Sequence, residues 1–392
     1  MSCKYWNPSA TWYGIAGRRR TTKMIETVLQ FGSGRFLRGF ADLFIHHANQ
    51  TDKPVGGIVV VQSTVNSRGD WLNAQNGRYN VLVQGVENGQ TVDRVEESAS
   101  IQRALVAQTD WEEVLKVAAS PGIKVILSNT TEAGFALDVS DTLQSSPPQA
   151  FPAKLLAVLH TRFEARQPGV TILPCELLED NADRLRDILV GLSETWSLSA
   201  EFIAWLTKEC RWRNSLVDRI VVDANPVHPL AENDQLLISA EPFALWVIEQ
   251  DEEEDRWLEH PALVYTPDVT PYFLRKVRIL NGAHTAMAPR ALAKGYETVK
   301  EAMLDSEIRE WLEGLLFEEI VPTMEGRVDQ PVDFAYSVLE RFSNPFLEHK
   351  ITNILLYHEQ KQQTRLAPTR EEFIARFGTV PRRLSDALDL SS

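Results

Sequence analysis

The chain contains few cysteines: only Cys3, Cys175 and Cys210 occur among its 392 residues, and no two of them form a Cys-x-x-Cys pair. This scarcity argues against a disulfide scaffold and a structural zinc site, and it predicts a reducing cytoplasm as the compartment. Long apolar runs are also missing, because no stretch approaches the length of a membrane-spanning helix. The sequence therefore predicts a protein that does not enter the membrane.

Basic residues are outnumbered, with 40 Lys+Arg against 54 Asp+Glu and a formal net charge of -14. Binding to nucleic acid or to an anionic membrane is not expected, because phosphate contacts need clustered lysine and arginine. An anionic substrate must therefore meet a local basic pocket. No feature of the composition specifies an oligomeric state.

The length of 392 residues predicts two domains, or three, each with its own core. Residues 1–23 lack the apolar core of a signal peptide and are predicted to be a disordered extension, while Met24 opens the folded part and is a possible alternative start. Strand and helix patterns alternate over residues 24–240, which predicts an α/β domain with a Rossmann-like, doubly wound parallel sheet. Residues 241–392 are mostly helical in pattern and predict a second domain that binds substrate.

Two details of the first domain are also predicted. Residues 80–84 and 91–95 show the apolar patterns of two strands on either side of a turn, which predicts a hairpin. Val221 and Val222 are predicted to form the last strand of the parallel sheet.

A glycine turn follows the first strand-like run, and a helix-like pattern comes after it. In this setting the first glycine of a Gly-x-Gly permits a tight turn, and the second lets a pyrophosphate approach the backbone. The usual third glycine is replaced by Leu37, so an ordinary strand-to-helix turn stays an alternative. The residues predicted to contact a dinucleotide here are Gly32, Ser33, Gly34, Arg35 and Phe36.

The second strand ends at Gln62, where an acidic side chain would hold the ribose hydroxyls of NAD. Arg68 follows in the next loop, where it either meets a 2′-phosphate or is solvated. This loop alone leaves the choice between NAD and NADP open, and Gln62 joins the predicted cofactor residues.

Polar residues follow another buried strand, in the order Asn129, Thr130 and Thr131. The carboxyl ends of parallel strands are where a doubly wound sheet holds its ligand, so all three are predicted to contact the cofactor. The alternative is a capped turn that leads into the next helix.

A helix is predicted from Thr270, as the N-cap, and Pro271, in the first turn. At about 100° per residue, Asn281 lies about 140° and His284 about 80° around the helix from Lys276. The three polar side chains therefore fall in one arc.

This arc has the composition of a proton-transfer site. Neighbouring apolar residues would remove water from the Lys276 ammonium and lower its pKa, so that the amine could accept an alcohol proton. Asn281 and His284 can hydrogen-bond to the oxygen that gains or loses charge. The alternative is an amphipathic helix with a surface-reaching lysine and a capping asparagine.

Together these stretches resemble the long-chain mannitol dehydrogenases, in the family's order from residue 30 to about residue 365. Lys276, Asn281 and His284 stand where the family's catalytic lysine, asparagine and histidine stand. The resemblance implies a Rossmann domain, a helical substrate domain and metal-independent hydride transfer between NAD(H) and a carbon that bears a hydroxyl or keto group. The matching stretches are 30–40, 128–135, 214–220, 241–246, 275–285 and 341–345.

The chain departs from mannitol dehydrogenases at Glu176-Leu177, where those enzymes have an Asp-Asn pair, and it is also shorter than typical members. Glu-Leu looks like the uronate-reductase branch, which implies reduction of a keto-uronate, tagaturonate, to altronate, with Lys276 as the general acid and base. A fructuronate reductase or a mannitol (polyol) 2-dehydrogenase is the alternative within the same chemistry. A catalytically silent dinucleotide sensor is the alternative from another class.

A sugar acid needs a cation at its carboxylate, and arginine suits that contact best. Arg341, Arg278 and His349 are the candidates, and Asn344 completes the predicted substrate residues. An intramolecular salt bridge is the alternative for Arg341. Arg278 lies on another side of the helix from His284, so its alternative is a contact within the protein.

Overall fold

The computed structural model describes residues 24–64, 66–87, 89–130, 132–250 and 256–389, so the predicted extension 1–23 lies outside it. The strands of these residues are β1 (Glu26–Phe31), β2 (Gly57–Gln62), β3 (Tyr79–Glu87), β4 (Gln90–Ser98), β5 (Ile101–Val106), β6 (Val125–Ser128), β7 (Thr171–Pro174), β8 (Arg211–Trp212), β9 (Ser215–Asp218), β10 (Val221–Asp223), β11 (Ile238–Ala240), β12 (Leu245–Glu249) and β13 (Leu263–Thr266).

The α-helices of the same residues are α1 (Arg35–Arg38), α2 (Ala41–Ala48), α3 (Arg68–Ala74), α4 (Ala107–Ala118), α5 (Phe151–Glu164), α6 (Asn181–Thr195), α7 (Ala200–Lys208), α8 (Thr270–Arg275), α9 (Gly282–Ala293), α10 (Val299–Leu304), α11 (Ser306–Gly314), α12 (Val321–Met324), α13 (Pro331–Phe342), α14 (Ile351–Leu355), α15 (His358–Arg365), α16 (Ala367–Phe377) and α17 (Arg382–Asp389). Short 3₁₀ turns cover Glu132–Phe135 and Pro229–Glu232, and π-helical turns cover Lys276–Asn281 and Leu315–Ile320.

A six-stranded parallel sheet in the order β5-β2-β1-β6-β7-β8 organises the first part of the chain. Its central strands are continuous apolar runs, and β2 is buried along its whole length, as expected for a parallel sheet that is covered on both faces. In register, Leu29 of β1 pairs with Val59 of β2 on one side and Ile126 of β6 on the other. The predicted Rossmann-like sheet is confirmed.

Alternate residues of the sheet enter two different cores, because successive side chains of a strand point to opposite faces. Leu29 and Val59 pack with α4, α5, α6 and α7. Val28 and Val60 pack on the other face with α2 and with strands of the two smaller sheets, through Trp246 among others. The parallel sheet is thus covered by helices on one face and by helix and strands on the other.

One smaller sheet has the order β10-β11-β3-β4 and contains the predicted hairpin, in which β3 and β4 pair antiparallel from Tyr79 to Glu87. Val221 and Val222 belong to this sheet, antiparallel to β11, so their predicted place as the last strand of the parallel sheet is wrong. The parallel sheet ends instead at β8. A short apolar run predicts a strand, but it does not predict which other strand pairs with it.

The third sheet has the order β13-β12-β9. Two of its strands, β12 and β13, follow residue 240, and β9 precedes it, so hydrogen bonds cross this point of the chain. The domain boundary near residue 240 stays a prediction.

Helices form most of the last part of the chain, as the sequence predicts. They pack around α9, whose residues 282–288 are all buried and mostly small. A helix that is buried all round is a central core helix rather than a surface one. No helix in the described ranges is both long enough and apolar enough to cross a membrane.

Candidate active site

The glycine turn lies between β1 and α1. Gly32 has a φ of 127°, and a Cβ on it would come within 3.0 Å of the Asn129 carbonyl oxygen, so this position requires glycine. Gly34 has an ordinary φ of -67°, yet a Cβ there would meet nothing within 4 Å. Leu37, which replaces the third glycine, is buried beneath the turn. The turn therefore leaves open space beside the start of α1, as a pyrophosphate needs.

Arg35 and Phe36 leave the turn in different directions. Arg35 is partly exposed and donates to an Asp223 oxygen at 2.9 Å, and its charge also acts on His349. Phe36 stacks on Phe40, with ring centroids 5.0 Å apart. Of the two, Arg35 alone presents a charged group at the turn.

Gln62 is buried at the end of β2 and holds the loop that follows. Its Oε1 accepts from the Ser33 hydroxyl at 3.3 Å and from the Gly69 N–H at 2.7 Å, while its Nε2 donates to the Asn66 carbonyl. The amide thus joins the glycine turn to the loop before α3. The structure therefore gives Gln62 a positioning role at the cofactor turn.

Asn129 and Thr130 lie beside the turn at the end of β6. Asn129 donates to the Cys175 carbonyl at 2.8 Å, and Thr130 donates from both its N–H and its hydroxyl to Glu176 Oε1. Ser128 donates to the other Glu176 oxygen at 3.0 Å. Burial raises the pKa of the Glu176 carboxyl, whereas these hydrogen bonds oppose the rise. Glu176, the departure from the family pattern, therefore holds this loop.

Thr131, the third residue of that predicted set, lies outside the described residues.

The predicted catalytic helix is divided into three pieces: α8, the π-helical turn Lys276–Asn281, and α9. Thr270 is the first helical residue rather than the N-cap, which is Val269, and Asp268 supplies the side-chain acceptor to the Thr270 N–H. A π turn makes i→i+5 hydrogen bonds, and such turns frequently mark functional sites. A π turn holds more residues than an α turn, so the angle around the helix axis between Lys276 and Asn281 is smaller than the predicted 140°.

Lys276 is half-buried and reaches the third sheet. Its Nζ donates to the Val217 carbonyl of β9 at 2.6 Å. The positive charge of Lys276 also acts on the neighbouring Asp218 carboxyl. Burial alone would raise the pKa of the Asp218 carboxyl, but the charges of Arg341 and Lys276 outweigh burial, and the pKa is lowered. The amine is therefore held beside an ionised carboxylate.

Asn281 and His284 are buried, with 7% and 6% of their surfaces exposed. Asn281 Nδ2 and His284 Nε2 have no hydrogen-bond partner among the described residues. His284 stacks on Phe342 with centroids 3.8 Å apart and an angle of 7°, and it meets His349 edge-on at 4.8 Å. Burial, followed by the His349 and Arg341 charges, lowers the pKa of His284 well below 6.5, so the imidazole is neutral.

Arg341 lies in a buried ion network, which is the alternative that the sequence left open. Its Nη2 contacts Asp218 at 2.8 Å and Glu241 at 2.7 Å, its Nε donates to Glu241 at 2.9 Å, and its guanidinium covers the Phe243 ring. Two carboxylates thus balance the charge that was predicted to bind substrate.

The other predicted substrate residues differ in position. Arg278 turns away to Thr369 and Glu372 of α16, and Asn344 donates to the Gln84 carbonyl of β3 at 2.9 Å. His349 stays beside His284, and burial, with the charges of Arg35 and Lys361, lowers its pKa to about 4.

Four charged residues at this site were missed by the sequence reasoning: Asp218, Glu241, Lys361 and Arg365. Asp218 and Glu241 stand inside the stretches 214–220 and 241–246, so buried acids within a motif were the available signal. Lys361 and Arg365 occupy an ordinary polar helix pattern, which carries no such signal.

The glycine turn, the parallel sheet and the Lys276–His284 helix define a class of protein, and comparison with known families agrees. Residues 26–259 match the mannitol dehydrogenase Rossmann domain, and residues 268–388 match the mannitol dehydrogenase C-terminal domain. The chain therefore belongs to the mannitol dehydrogenase family and is an oxidoreductase acting on CH–OH groups.

Similar curated proteins carry a more particular name. The altronate oxidoreductase of Halalkalibacterium halodurans is 38% identical over 382 residues, which cover 93% of this chain and 74% of the relative. The altronate oxidoreductase of Bacillus subtilis is 37% identical over 378 residues, which cover 93% and 78%.

Two solved structures share the fold. The ternary complex of Pseudomonas fluorescens mannitol 2-dehydrogenase with NAD and D-mannitol aligns with a TM-score of 0.80 at 23% identity, over 93% of this chain and 78% of that one. A D-sorbitol dehydrogenase in substrate-free form aligns with a TM-score of 0.77 at 23% identity, over 94% and 80%.

Proposed function

We propose that this enzyme interconverts tagaturonate and altronate, with NADH as the reductant in one direction and NAD⁺ as the oxidant in the other. The similarity to altronate oxidoreductases over 93% of the chain supports this substrate. Glu176-Leu177, in place of the Asp-Asn pair of mannitol dehydrogenases, points to the same branch.

Two buried nitrogens without partners carry the proposal. A buried donor that is left unpaired costs about 1–3 kcal/mol, so such groups persist mainly where they serve a function. Asn281 Nδ2 and His284 Nε2 are buried in this way on the helix that also carries Lys276. A carbonyl or hydroxyl oxygen of the substrate is the partner that suits this pair.

Lys276 acts as the general acid and base. In the oxidation direction its neutral amine takes the hydroxyl proton onto Nζ while the C–H hydride leaves the same carbon. In reduction the ammonium returns the proton to the oxygen that Asn281 and His284 hold. A bound NAD⁺ supplies the hydride acceptor, and NADH supplies the hydride donor.

The glycine turn fits a dinucleotide. Gly32 permits the turn, and a side chain on Gly34 would occupy the open space beside α1. Ser33, Asn129 and Thr130 lie at the same edge of the sheet. Their partners there are Gln62 for Ser33, the Cys175 carbonyl for Asn129 and Glu176 for Thr130. The mannitol dehydrogenase structure of this fold is a complex with NAD, which supports NAD as the cofactor.

Alanine at the two glycines is expected to give two different results. Gly34→Ala should keep the melting temperature of the wild type but weaken NADH binding by about tenfold or more, because the added methyl occupies the cofactor's space. Gly32→Ala should also lose about 1–3 kcal/mol of stability, because alanine is strained at a φ of 127°. Fluorescence titration with NADH and thermal unfolding measure the two effects. Wild-type NADH affinity in Gly34→Ala would contradict the proposed cofactor site.

A substrate panel tests the function itself. Tagaturonate, fructuronate and fructose are each supplied with NADH and with NADPH, and the loss of reduced-nicotinamide absorbance is followed. The expected result is the highest kcat/KM for tagaturonate with NADH. A preference for fructuronate or fructose would move the function to the corresponding reductase, and NADH binding without turnover of any substrate would indicate a dinucleotide sensor.

A further inference from the structure

A buried carboxyl group that the proposed proton transfer does not use lies behind the glycine turn. It belongs to Asp42, the second residue of α2, which is completely buried. Its side chain meets that of Gln30, on β1, which is completely buried as well. Burial of a carboxyl group is costly unless the group is paired or neutral, so its presence here needs a physical reason.

One amide nitrogen joins this carboxyl group to the turn. Gln30 Nε2 donates to the Gly32 carbonyl at 3.1 Å and to Asp42 Oδ2 at 3.3 Å. The two hydrogen atoms of a side-chain amide suffice for these two bonds. Gly32 is the residue whose positive φ of 127° forms the turn. The carboxyl group is therefore separated from the backbone of the turn by a single side chain.

The two remaining oxygens of this pair indicate which protonation state suits the site. Gln30 Oε1 and Asp42 Oδ1 are buried and have no hydrogen-bond partner among the described residues. Both are acceptors when the carboxyl group is ionised, so neither can satisfy the other. A proton on Oδ1 supplies a donor that can bond to Gln30 Oε1. The acid and the amide are then joined by two hydrogen bonds, which fix Gln30 beneath Gly32.

The groups around Asp42 act on its charge in both directions. Burial raises the pKa of the Asp42 carboxyl to about 7, although the hydrogen bond from Gln30 and the positive charge of Arg38 both lower it. Tyr79 of β3 and Cys175, which follows β7, also interact with Asp42, and burial raises the pKa of both well above their usual values. Of these side chains, Asp42 is therefore the one that changes its charge near neutral pH.

We infer that the protonated form of Asp42 positions the glycine turn for the dinucleotide, and that loss of this proton weakens the binding of NAD(H). This inference rests on the proposed function, which places a pyrophosphate at the turn. In the neutral form, Asp42 holds Gln30, and Gln30 holds the Gly32 carbonyl. In the ionised form the donor on Oδ1 is lost, and a negative charge lies beneath the binding site of an anion. Both effects act in the same direction.

The affinity for NADH is expected to fall as the pH rises through neutrality. Because the bound state favours the protonated carboxyl, the dissociation constant should be smallest below the pKa of Asp42 and should increase above it. Between about pH 6 and about pH 9 the expected increase is on the order of tenfold, the effect of a unit charge about 10 Å from an anion at an effective dielectric constant of about 20. Fluorescence titration of the wild-type enzyme with NADH measures this increase without turnover.

Asp42→Asn separates this effect from the titration of other groups. Asparagine is neutral at every pH, and its amide can make both hydrogen bonds to Gln30 that the protonated carboxyl makes. The variant should bind NADH across this range with the affinity that the wild type has at about pH 6. Asp52→Asn is the matched control, because Asp52 is exposed in the segment after α2, and it should keep the wild-type pH profile.

Gln30→Met tests the link to the turn. Methionine has a similar length but no donor, so the Gly32 carbonyl loses its bond from this side chain. NADH binding should weaken by about three- to tenfold at every pH, the usual effect of losing one hydrogen bond. Wild-type affinity in this variant would overturn the inference, because the amide would then have no part in holding the turn.

Thermal unfolding checks that the Asp42→Asn variant is folded. At about pH 9 its melting temperature should be no lower than that of the wild type, because it buries no charge at this position. A lower melting temperature together with loss of NADH binding would overturn the inference, because the ionised carboxylate itself would then be needed.

The two ways of failing are distinguishable. A wild-type enzyme that binds no NADH, or that reduces no uronate, would overturn the proposed function. A wild-type enzyme that reduces tagaturonate but binds NADH with the same affinity at every pH would overturn the assignment of Asp42 alone. The same pH profile in Asp42→Asn and in the wild type would also overturn it, because another group would then be responsible.

Discussion

Alanine in place of Lys276 is expected to lower kcat for tagaturonate reduction by about 10²- to 10⁴-fold at neutral pH, the range for loss of a general acid or base. The Lys276 Nζ donates to the Val217 carbonyl of β9. Removing the amine is expected to take away the proposed proton donor and to leave the glycine turn unchanged. Steady-state kinetics should show the loss of turnover, and NADH fluorescence titration should show wild-type affinity.

Lys294→Ala is the control for this experiment. Lys294 is exposed just after the end of α9 and pairs with Asp305 and Glu307, so its loss should leave kcat near the wild-type value. Wild-type kcat in Lys276→Ala would remove the lysine from the mechanism. Loss of NADH binding in the same variant would show instead that the substitution disturbs the fold.

Methionine in place of Arg341 is expected to cost about 3–5 kcal/mol of the free energy of unfolding, because it leaves two buried carboxylates without their cation. Asp218 and Glu241 are almost fully buried, and Arg341 contacts both of them. Urea unfolding at neutral pH measures the loss. The difference from the wild type should shrink as the pH falls, since protonation of the two carboxyls removes the charges that Arg341 no longer compensates.

Two further variants test the cause of that loss. Arg309→Met removes an exposed pair with Glu313 and should cost less than about 1 kcal/mol. Adding Glu241→Gln to Arg341→Met should recover part of the stability, because the amide oxygen can still accept from the Ile220 N–H. If Arg341→Met costs no more than Arg309→Met, the buried network is not a major source of stability.

The buried network also connects the elements that carry the proposed catalytic residues. Asp218 belongs to β9, whose Val217 carbonyl accepts from Lys276, and Arg341 belongs to α13, whose Phe342 stacks on His284. The same ion pair therefore connects the strand behind Lys276 with the helix behind His284. A residue that the sequence favoured for substrate binding instead holds two sides of the site together.

The sequence was sufficient where the signal is local. The apolar runs of β1, β2 and β6 predict strands that are buried on both faces. Because helix patterns alternate with these runs, the strands are predicted to pair in parallel. The turn at Gly32 and Gly34 also follows from nearby residues, because a Gly-x-Gly between a strand pattern and a helix pattern predicts a tight turn. The family resemblance also rests on short local motifs and their order along the chain, and the two matching family domains confirm it.

Local pattern was insufficient where two distant segments decide the outcome. The π-helical turn at Lys276–Asn281 is not visible in an apolar period of 3.6, since one extra residue in a turn leaves the pattern almost unchanged. Val221 and Val222 form a strand as predicted, but the choice of sheet depends on β11, which lies elsewhere in the chain.

By itself the sequence determined the sheet, the glycine turn and the helix that carries Lys276, Asn281 and His284. Only the tertiary structure decided the partners of the charged residues. Arg341 meets carboxylates 100 and 123 residues away in the chain, and Arg365 meets Thr285 80 residues away. The interaction energy of two charges depends on their distance in space and not on their separation in the sequence. Packing therefore decides which partners a charged side chain meets.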